Sequence, residues 1–146
     1  MSNYRQKEIP KVDENLFVNL KLGEIKKFVS DFFEKNIKNT KIENLHKGIN
    51  VEIRKAGLRH ILYARNAGYN KLKAVIIMKE MIRHATYCNF KEPDEDDEVN
   101  VLGYFNFKCK VNIENKIQFF RIAVRLTKDG KFYYDHAIKI GNKKNP

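Results

Sequence analysis

The sequence predicts an α+β domain with N-terminal helices packed on one face of a C-terminal antiparallel β-meander. Three observations predict it. Two long stretches before residue 90 repeat their apolar residues every three or four positions, the period of a helix. From Leu102 onward apolar and polar residues alternate, the period of a half-buried strand. The turns within that last third are short, which suits antiparallel neighbours. At 146 residues the chain fits one domain with a core of its own.

Residues 1–15 read as a mobile arm, 16–40 as an N-terminal helical extension, 41–140 as an α+β core and 141–146 as a frayed tail. The first helix spans Leu22 to Ile37. Leu22, Ile25, Phe28, Val29, Phe32 and Phe33 form its apolar stripe, with Lys26, Lys27, Asp31 and Lys35 between them. A strand pair follows over Ile42 to Ile53, turning at Lys47-Gly48; Ile49, Val51 and Ile53 alternate with Asn50, Glu52 and Arg54. Lys55 to Arg65 is short and helical in character. A stronger helix runs from Asn70 to Tyr87. Its core set is Leu72, Val75, Ile76, Met78, Met81, Ile82 and Ala85, with Ile76 and Met81 expected among the most buried. The acidic stretch 92–98 holds Pro93 and a density of like charge that suits a loop.

Leu102 to Ile113 is the first meander strand. It sets Phe105, Phe107, Cys109, Val111 and Ile113 on one face, and Tyr104, Asn106, Lys108, Lys110 and Asn112 on the other. Glu114-Asn-Lys116 turns the chain. In the next strand Phe120, Ile122, Val124 and Leu126 oppose Phe119, Arg121, Ala123 and Arg125. Lys128-Asp-Gly-Lys131 is a hairpin signal, because Asp-Gly supplies the positive φ that such turns need. Lys131 to Ile140 is the third strand, with Phe132, Tyr134, His136, Ile138 and Ile140 on one side if its alternation is unbroken.

Charge is the loudest global feature. Lys and Arg number 29 against 18 acids, giving +11. Six of the acids fall within 92–98, leaving 29 bases against 12 acids elsewhere. Such a field attracts polyanions, nucleic acid first; a Lys-rich composition that merely keeps the chain soluble is the other account. The longest apolar run, Ala74–Met78, is too short to cross a membrane. The polar N-terminus lacks a signal-peptide core, and Cys88 and Cys109 are spaced neither as a metal knuckle nor as a redox pair. A cytoplasmic setting without membrane contact is expected.

No metal or cofactor is expected either. The histidines at 46, 60, 84 and 136 are isolated, no phosphate-cradling glycine loop occurs, and serine is nearly absent. What remains is cationic. His60 follows Arg59 and lies near Arg54 and Lys55; Arg121 and Arg125 stand four apart on one strand face, with Lys108 on the outward face of its neighbour. A histidine can move a proton and arginines can hold a phosphate while a 2′-hydroxyl attacks it, which suits phosphodiester cleavage without a metal. The bland account is that Arg59 and His60 decorate a helix and that Arg121 and Arg125 pair with acids such as Asp135. His136 has two readings as well: a hydrogen-bonded core residue, or, if a bulge near Tyr133-Tyr134-Asp135 shifts the phase, a cleft residue with Tyr134 as a phosphate or base contact.

A resemblance rests on Gly57-Leu-Arg-His60, on Ile82-Arg-His-Ala-Thr-Tyr87 before an acidic loop, on Tyr104-Phe-Asn-Phe107, on Phe120-Arg-Ile-Ala-Val-Arg-Leu126, and above all on Lys128-Asp-Gly-Lys-Phe-Tyr-Tyr-Asp-His136. The run from Val51 to Ile140 resembles a small domain associated with large polyvalent proteins of phages and conjugative elements. It also resembles the phage branch of the barnase–EndoU–colicin–RelE nucleases. The resemblance leaves residues 1–40 outside. It implies helices on one face of an antiparallel sheet with a cleft on the other, metal-independent RNA cleavage, and a role in conflict between mobile elements and hosts. It assigns working roles to Arg59, His60, Arg121, Tyr134 and His136.

Two functions follow. The first is a metal-independent ribonuclease or toxin-like effector, with His60, His136, Arg121 and Tyr134 catalytic, and with Arg54, Lys55, Arg59, Lys108 and Arg125 holding RNA. The alternative is a non-catalytic basic module that inhibits a defence system by docking on nucleic acid or on a nucleic-acid-binding protein. Convergence of the histidines and arginines on one phosphate would favour the first.

Overall fold

The computed structural model describes residues 5–54 and 69–140. In chain order these form β1 (Lys11–Val12), α1 (Leu22–Asn36), β2 (Thr40–Glu43), β3 (Asn50–Ile53), α2 (Tyr69–Ala74), a 3-10 turn (Val75–Ile77), α3 (Met78–His84), β4 (Thr86–Lys91), β5 (Val101–Ile113), β6 (Lys116–Thr127) and β7 (Phe132–Ile140). The class is α+β. No helix among the described residues is long and apolar enough to cross a membrane.

The strands make one sheet in the order β1-β5-β6-β7-β3-β2, with β4 also on β5. β5, β6 and β7 pair antiparallel as consecutive hairpins. Their first turn is Glu114-Asn115, both at positive φ (53° and 72°), the two-residue geometry that matches strand twist. The second closes through Gly130 at φ 81°, where the Asp129 carboxylate accepts from the Thr127 hydroxyl and from the Lys131 amide. The sheet as a whole is mixed, which corrects the expectation of a purely antiparallel one. β3 runs parallel to β7, and β1 parallel to β5, through two register pairs each. β3 reaches the meander as the inner strand of its own β2–β3 hairpin, and its alternation buries Val51 and Ile53 in the common core.

Alternation along β5 and β6 follows the sequence; in β7 it breaks after Tyr134, so that His136 and Ile138 leave the face expected for them and Ala137 is buried instead. Phe107, Cys109, Val111 and Ile113 of β5 and Phe120, Ile122 and Val124 of β6 are buried. They belong to one cluster with Ile25, Val29 and Phe33 of α1 and with Leu72, Val75, Met78, Met81 and Ile82. Each fully buried large apolar side chain there contributes about 1.5–3 kcal/mol. α1 starts where Glu24 accepts the Lys21 amide at 2.8 Å, and it carries Lys35 in its last turn, both suited to the helix dipole. Phe28 stays exposed, edge-on to Phe17.

Three local expectations change. Ile76 is only half-buried while Ile77 is buried, because the 3-10 turn winds more tightly than an α-helix and rotates the phase. The helix expected to reach Tyr87 ends at His84, and Thr86 to Lys91 forms β4 along β5. The end is fixed by Asn44, fully buried after β2. Its amide donates to the carbonyls of Ile82 (2.8 Å) and Ala85 (2.9 Å), and its Oδ1 accepts from the Lys47 amide (2.7 Å). The Leu45 amide donates to Arg83 O, and His46 Nδ1 accepts from the Tyr87 amide, so the β2–β3 turn satisfies the helix terminus. Finally, the segment read as a mobile arm is fastened in part: Val12 is fully buried, and Lys11–Val12 pairs with Asn112–Ile113.

Asn44→Ala is expected to destabilise the fold by roughly 1–3 kcal/mol for each group it orphans. Met81→Ala should lose about 2–5 kcal/mol, and Ile76→Ala clearly less. Urea unfolding checks this ranking; an Ile76 variant weaker than the Met81 variant would refute the phase given to the 3-10 turn.

Candidate functional site

The face of the meander turned away from the core carries the polar half of each alternation. Register across the three strands sets these side chains in rows. Tyr104 pairs with Arg125, which pairs with Tyr133. Asn106 pairs with Ala123, which pairs with His136, and Lys108 pairs with Arg121, which pairs with Ile138. Ala123 occupies the centre of the middle row, and its small side chain leaves room above it.

The row ending in His136 exists because β7 is not regular. Val124 pairs with Tyr134 but Ala123 with His136, so Asp135 is an extra residue, a β-bulge. Upstream of it Tyr134 faces the core; downstream His136 faces out. A cleft of about 270 Å³ opens there, lined by Lys91, Tyr104, Asn106, Arg121, Asp135 and His136, with Asp94 at its rim and Ala123 as its floor. Asp135 Oδ2 lies 2.6 Å from His136 Nδ1. An ionised carboxylate only accepts, so Nδ1 carries a hydrogen, and in the neutral imidazole Nε2 is the acceptor. Asp135 also lies 3.9 Å from Arg125.

The acidic segment borders the same cleft. Lys91 lies 3.7 Å from Asp94, and Asp97 accepts both the Asp94 amide (2.6 Å) and the Tyr104 hydroxyl (2.8 Å). Burial and the hydrogen bond to Asp97, with the nearby charges of Asp97 and Asp135, push the Tyr104 phenol up to about 12, against a smaller opposing pull from Arg125.

Of the residues singled out in the sequence, the structure brings His136 and Arg121 together in the cleft, with Arg125 at its edge. Lys108 is exposed one row beyond. Arg54 does not line the cleft but sits beside Arg125: its guanidinium stacks 4.0 Å from the centre of the Tyr133 ring, which Arg125 also approaches, and donates to the Tyr133 hydroxyl at 2.9 Å. Tyr134 does not reach the cleft; it is buried on the core face, and desolvation raises its ionisation far above the ordinary phenol value. Lys55, Arg59 and His60 lie outside the described residues. The sequence reading missed Asp135 as the partner of His136, and also Tyr104, Asn106 and Lys91. Alternation had placed Tyr104 and Asn106 on the outward face; only the register shows that they meet His136. Among the described residues no cluster of three or more His, Cys, Asp or Glu side chains is arranged to hold a metal ion.

The family described as large polyvalent protein-associated domain 3 matches residues 21–134. The chain belongs to this family. The domain 3 match opens at the start of α1, so it takes in the first helix that the motif resemblance left outside, and it closes at Tyr134, just before the Asp135–His136 pair. Comparison with the curated proteins and with the solved structures gave no match.

Because the folded Tyr104 phenol ionises at about 12 and an ordinary one near 10, its contribution to stability is full below pH 10 and is lost as pH rises through 12. Tyr104→Phe should remove that part of the alkaline destabilisation, and Asp97→Asn should bring Tyr104 ionisation down towards 10. Tyrosinate absorbance during a pH titration of each variant checks this; an unchanged Asp97→Asn curve would contradict it.

Proposed function

We propose that the domain is a metal-independent endoribonuclease, an effector of a phage or other mobile element, that cleaves RNA in the cleft beside the β7 bulge. The observation that carries this reading is the Asp135–His136 pair, which shares the cleft with Arg121. The likeness of the sequence motifs to the phage branch of the barnase–EndoU–colicin–RelE nucleases agrees with it, as does a net charge of +11. In that likeness the helices pack on one face of the meander, and the cleft uses the other.

The reaction needs few groups. His136 Nε2 takes the proton of a ribose 2′-hydroxyl, and O2′ forms a bond to the adjacent phosphorus. Arg121 neutralises the charge that builds on the non-bridging oxygens. The bond from phosphorus to the 5′ oxygen breaks, leaving a 2′,3′-cyclic phosphate and a 5′-hydroxyl. The proton for the leaving oxygen comes from a second carrier, a role this reading gives to His60. Asp135 acts as a positioning residue that fixes the tautomer of His136 and stabilises its protonated form.

The alternative, a non-catalytic module that docks on nucleic acid or on a nucleic-acid-binding protein, is favoured by one observation. Arg125 and Asp135 neutralise each other at 3.9 Å, as side chains on a solvated sheet face do.

Incubation of total RNA with the protein in EDTA separates the two. Cleavage is expected, with cyclic phosphate ends. His136→Ala should lower the rate by about 10²–10⁴ at an unchanged melting temperature, since its side chain is 41% exposed. Asp135→Asn should act more weakly and shift the pH profile of the rate. Undiminished cleavage by a folded His136→Ala protein would end the catalytic reading and leave the binding module.

A further inference from the structure

A second groove lies on the same outer face, one register step along β5 and β6 from the cleft. It has a volume of about 450 Å³, and its walls include Arg5, Gln6, Cys88, Lys108, Lys110 and Phe119. The two sites are continuous: Lys108 of the groove pairs with Arg121 of the cleft, and Lys110 pairs with Phe119. Along β6, Phe119 stands about 13 Å from Ala123, the residue opposite His136, at ~3.3 Å per residue.

The chemistry of this groove differs from that of the cleft. Three of its lining side chains are cationic and none is acidic. Phe119 is only half-buried, although its neighbour Phe120 is fully in the core. Two ammonium groups lie over its ring, Lys108 Nζ at 5.7 Å and Lys110 Nζ at 5.9 Å from the centroid. The wall beside it is fastened, because the Gln6 amide accepts the Lys110 N–H at 2.8 Å and donates to the Lys110 carbonyl at 2.7 Å. An aromatic ring with two long, mobile cations over it matches an unpaired base with a phosphate on each side: the base takes the ring face and the two ammonium groups swing out to the phosphates. A duplex cannot use it, since its bases are stacked on one another and hidden from the ring.

We propose that this groove is a stacking subsite for a nucleotide flanking the cleavage point, and hence that the substrate is single-stranded RNA. The direction of the strand into the cleft rests on the function proposed above; the stacking subsite itself does not. Phe119 holds the base by its face, so the subsite accepts any base. Lys108 and Lys110 hold the phosphates on either side.

The test uses a fluorescent, fully 2′-O-methylated RNA oligonucleotide, which lacks the attacking hydroxyl and so reports binding alone. The protein should bind it more tightly as a single strand than as a duplex of the same sequence. Phe119→Ala should weaken single-strand binding roughly 5- to 150-fold, the range for loss of one aromatic stack, and leave duplex binding nearly unchanged. Phe119→Leu, which keeps the bulk of the core-edge side chain, should lose the same preference. Lys108→Glu and Lys110→Glu should weaken both forms and flatten the salt dependence by about 0.7 in the log–log slope per lost single-strand phosphate contact. Equal affinity for strand and duplex, an unchanged Phe119→Leu protein, or displacement of the RNA by polyglutamate at matched charge would each overturn the subsite. A protein that cleaves nothing yet shows the Phe119-dependent preference would overturn only the nuclease. One that cleaves RNA with Phe119 variants binding as before would overturn only the subsite.

Discussion

One inserted residue on β7 decides which side chains meet water and which meet the core. A regular strand would send Tyr134 and His136 to the same side. Asp135 breaks that rule, so Tyr134 sits opposite Val124 under the sheet and His136 opposite Ala123 above it. The same insertion places the carboxylate within 2.6 Å of the imidazole, so the bulge both aims and orients the histidine. The core carries a cost: the Tyr134 hydroxyl is buried with no hydrogen-bond partner among the described residues, a loss of about 1–3 kcal/mol. Ring burial of this size offsets it. Without the insertion His136 would share the face of Tyr134, and the Asn106–Ala123 row would lose its histidine.

The fold was legible wherever side-chain periodicity alone decides. α1, the β5–β6 alternation and the Asp129-Gly130 turn follow from residue spacing, because burial of one face imposes it. What depends on partners far along the chain was not legible. The helical apolar pattern runs on to Tyr87, and the β2–β3 turn, led by the Asn44 side chain 38 and 41 residues from its acceptors, stops the helix at His84. The parallel pairings of β1 and β3 carry two register pairs each and leave too short a pattern to read. In the cleft, Arg121 and His136 were visible as residue types on a strand. Asp135 was visible only as a possible counter-ion to the arginines, a role it does fill toward Arg125, because its pairing with His136 depends on a bulge that sequence spacing allows but does not require.

The charges on the outer face are graded. At one end Asp94 and Asp97 border the cleft and hold Lys91 and Tyr104. At the other, Arg5, Lys108 and Lys110 line a groove without acids. A polyanion approaching this face meets attraction at the groove and repulsion at the acidic segment. On the proposed function, that asymmetry would give a bound strand a polarity that neither site has alone.

β5 has a hydrogen-bonding edge that no single strand fills. β4 covers Tyr104 to Lys108, β1 covers Asn112 and Ile113, and the Gln6 amide closes the gap at Lys110 by imitating a strand's donor and acceptor. The stretch beneath that cover alternates Cys109, Val111 and Ile113 with polar residues, the pattern that templates intermolecular strand addition. Residues 6–12 therefore close the part of this edge that β4 leaves open. A chain clipped after Val12 would lose one fully buried core residue and also leave the β5 ladder from Lys110 to Ile113 open to a neighbouring strand.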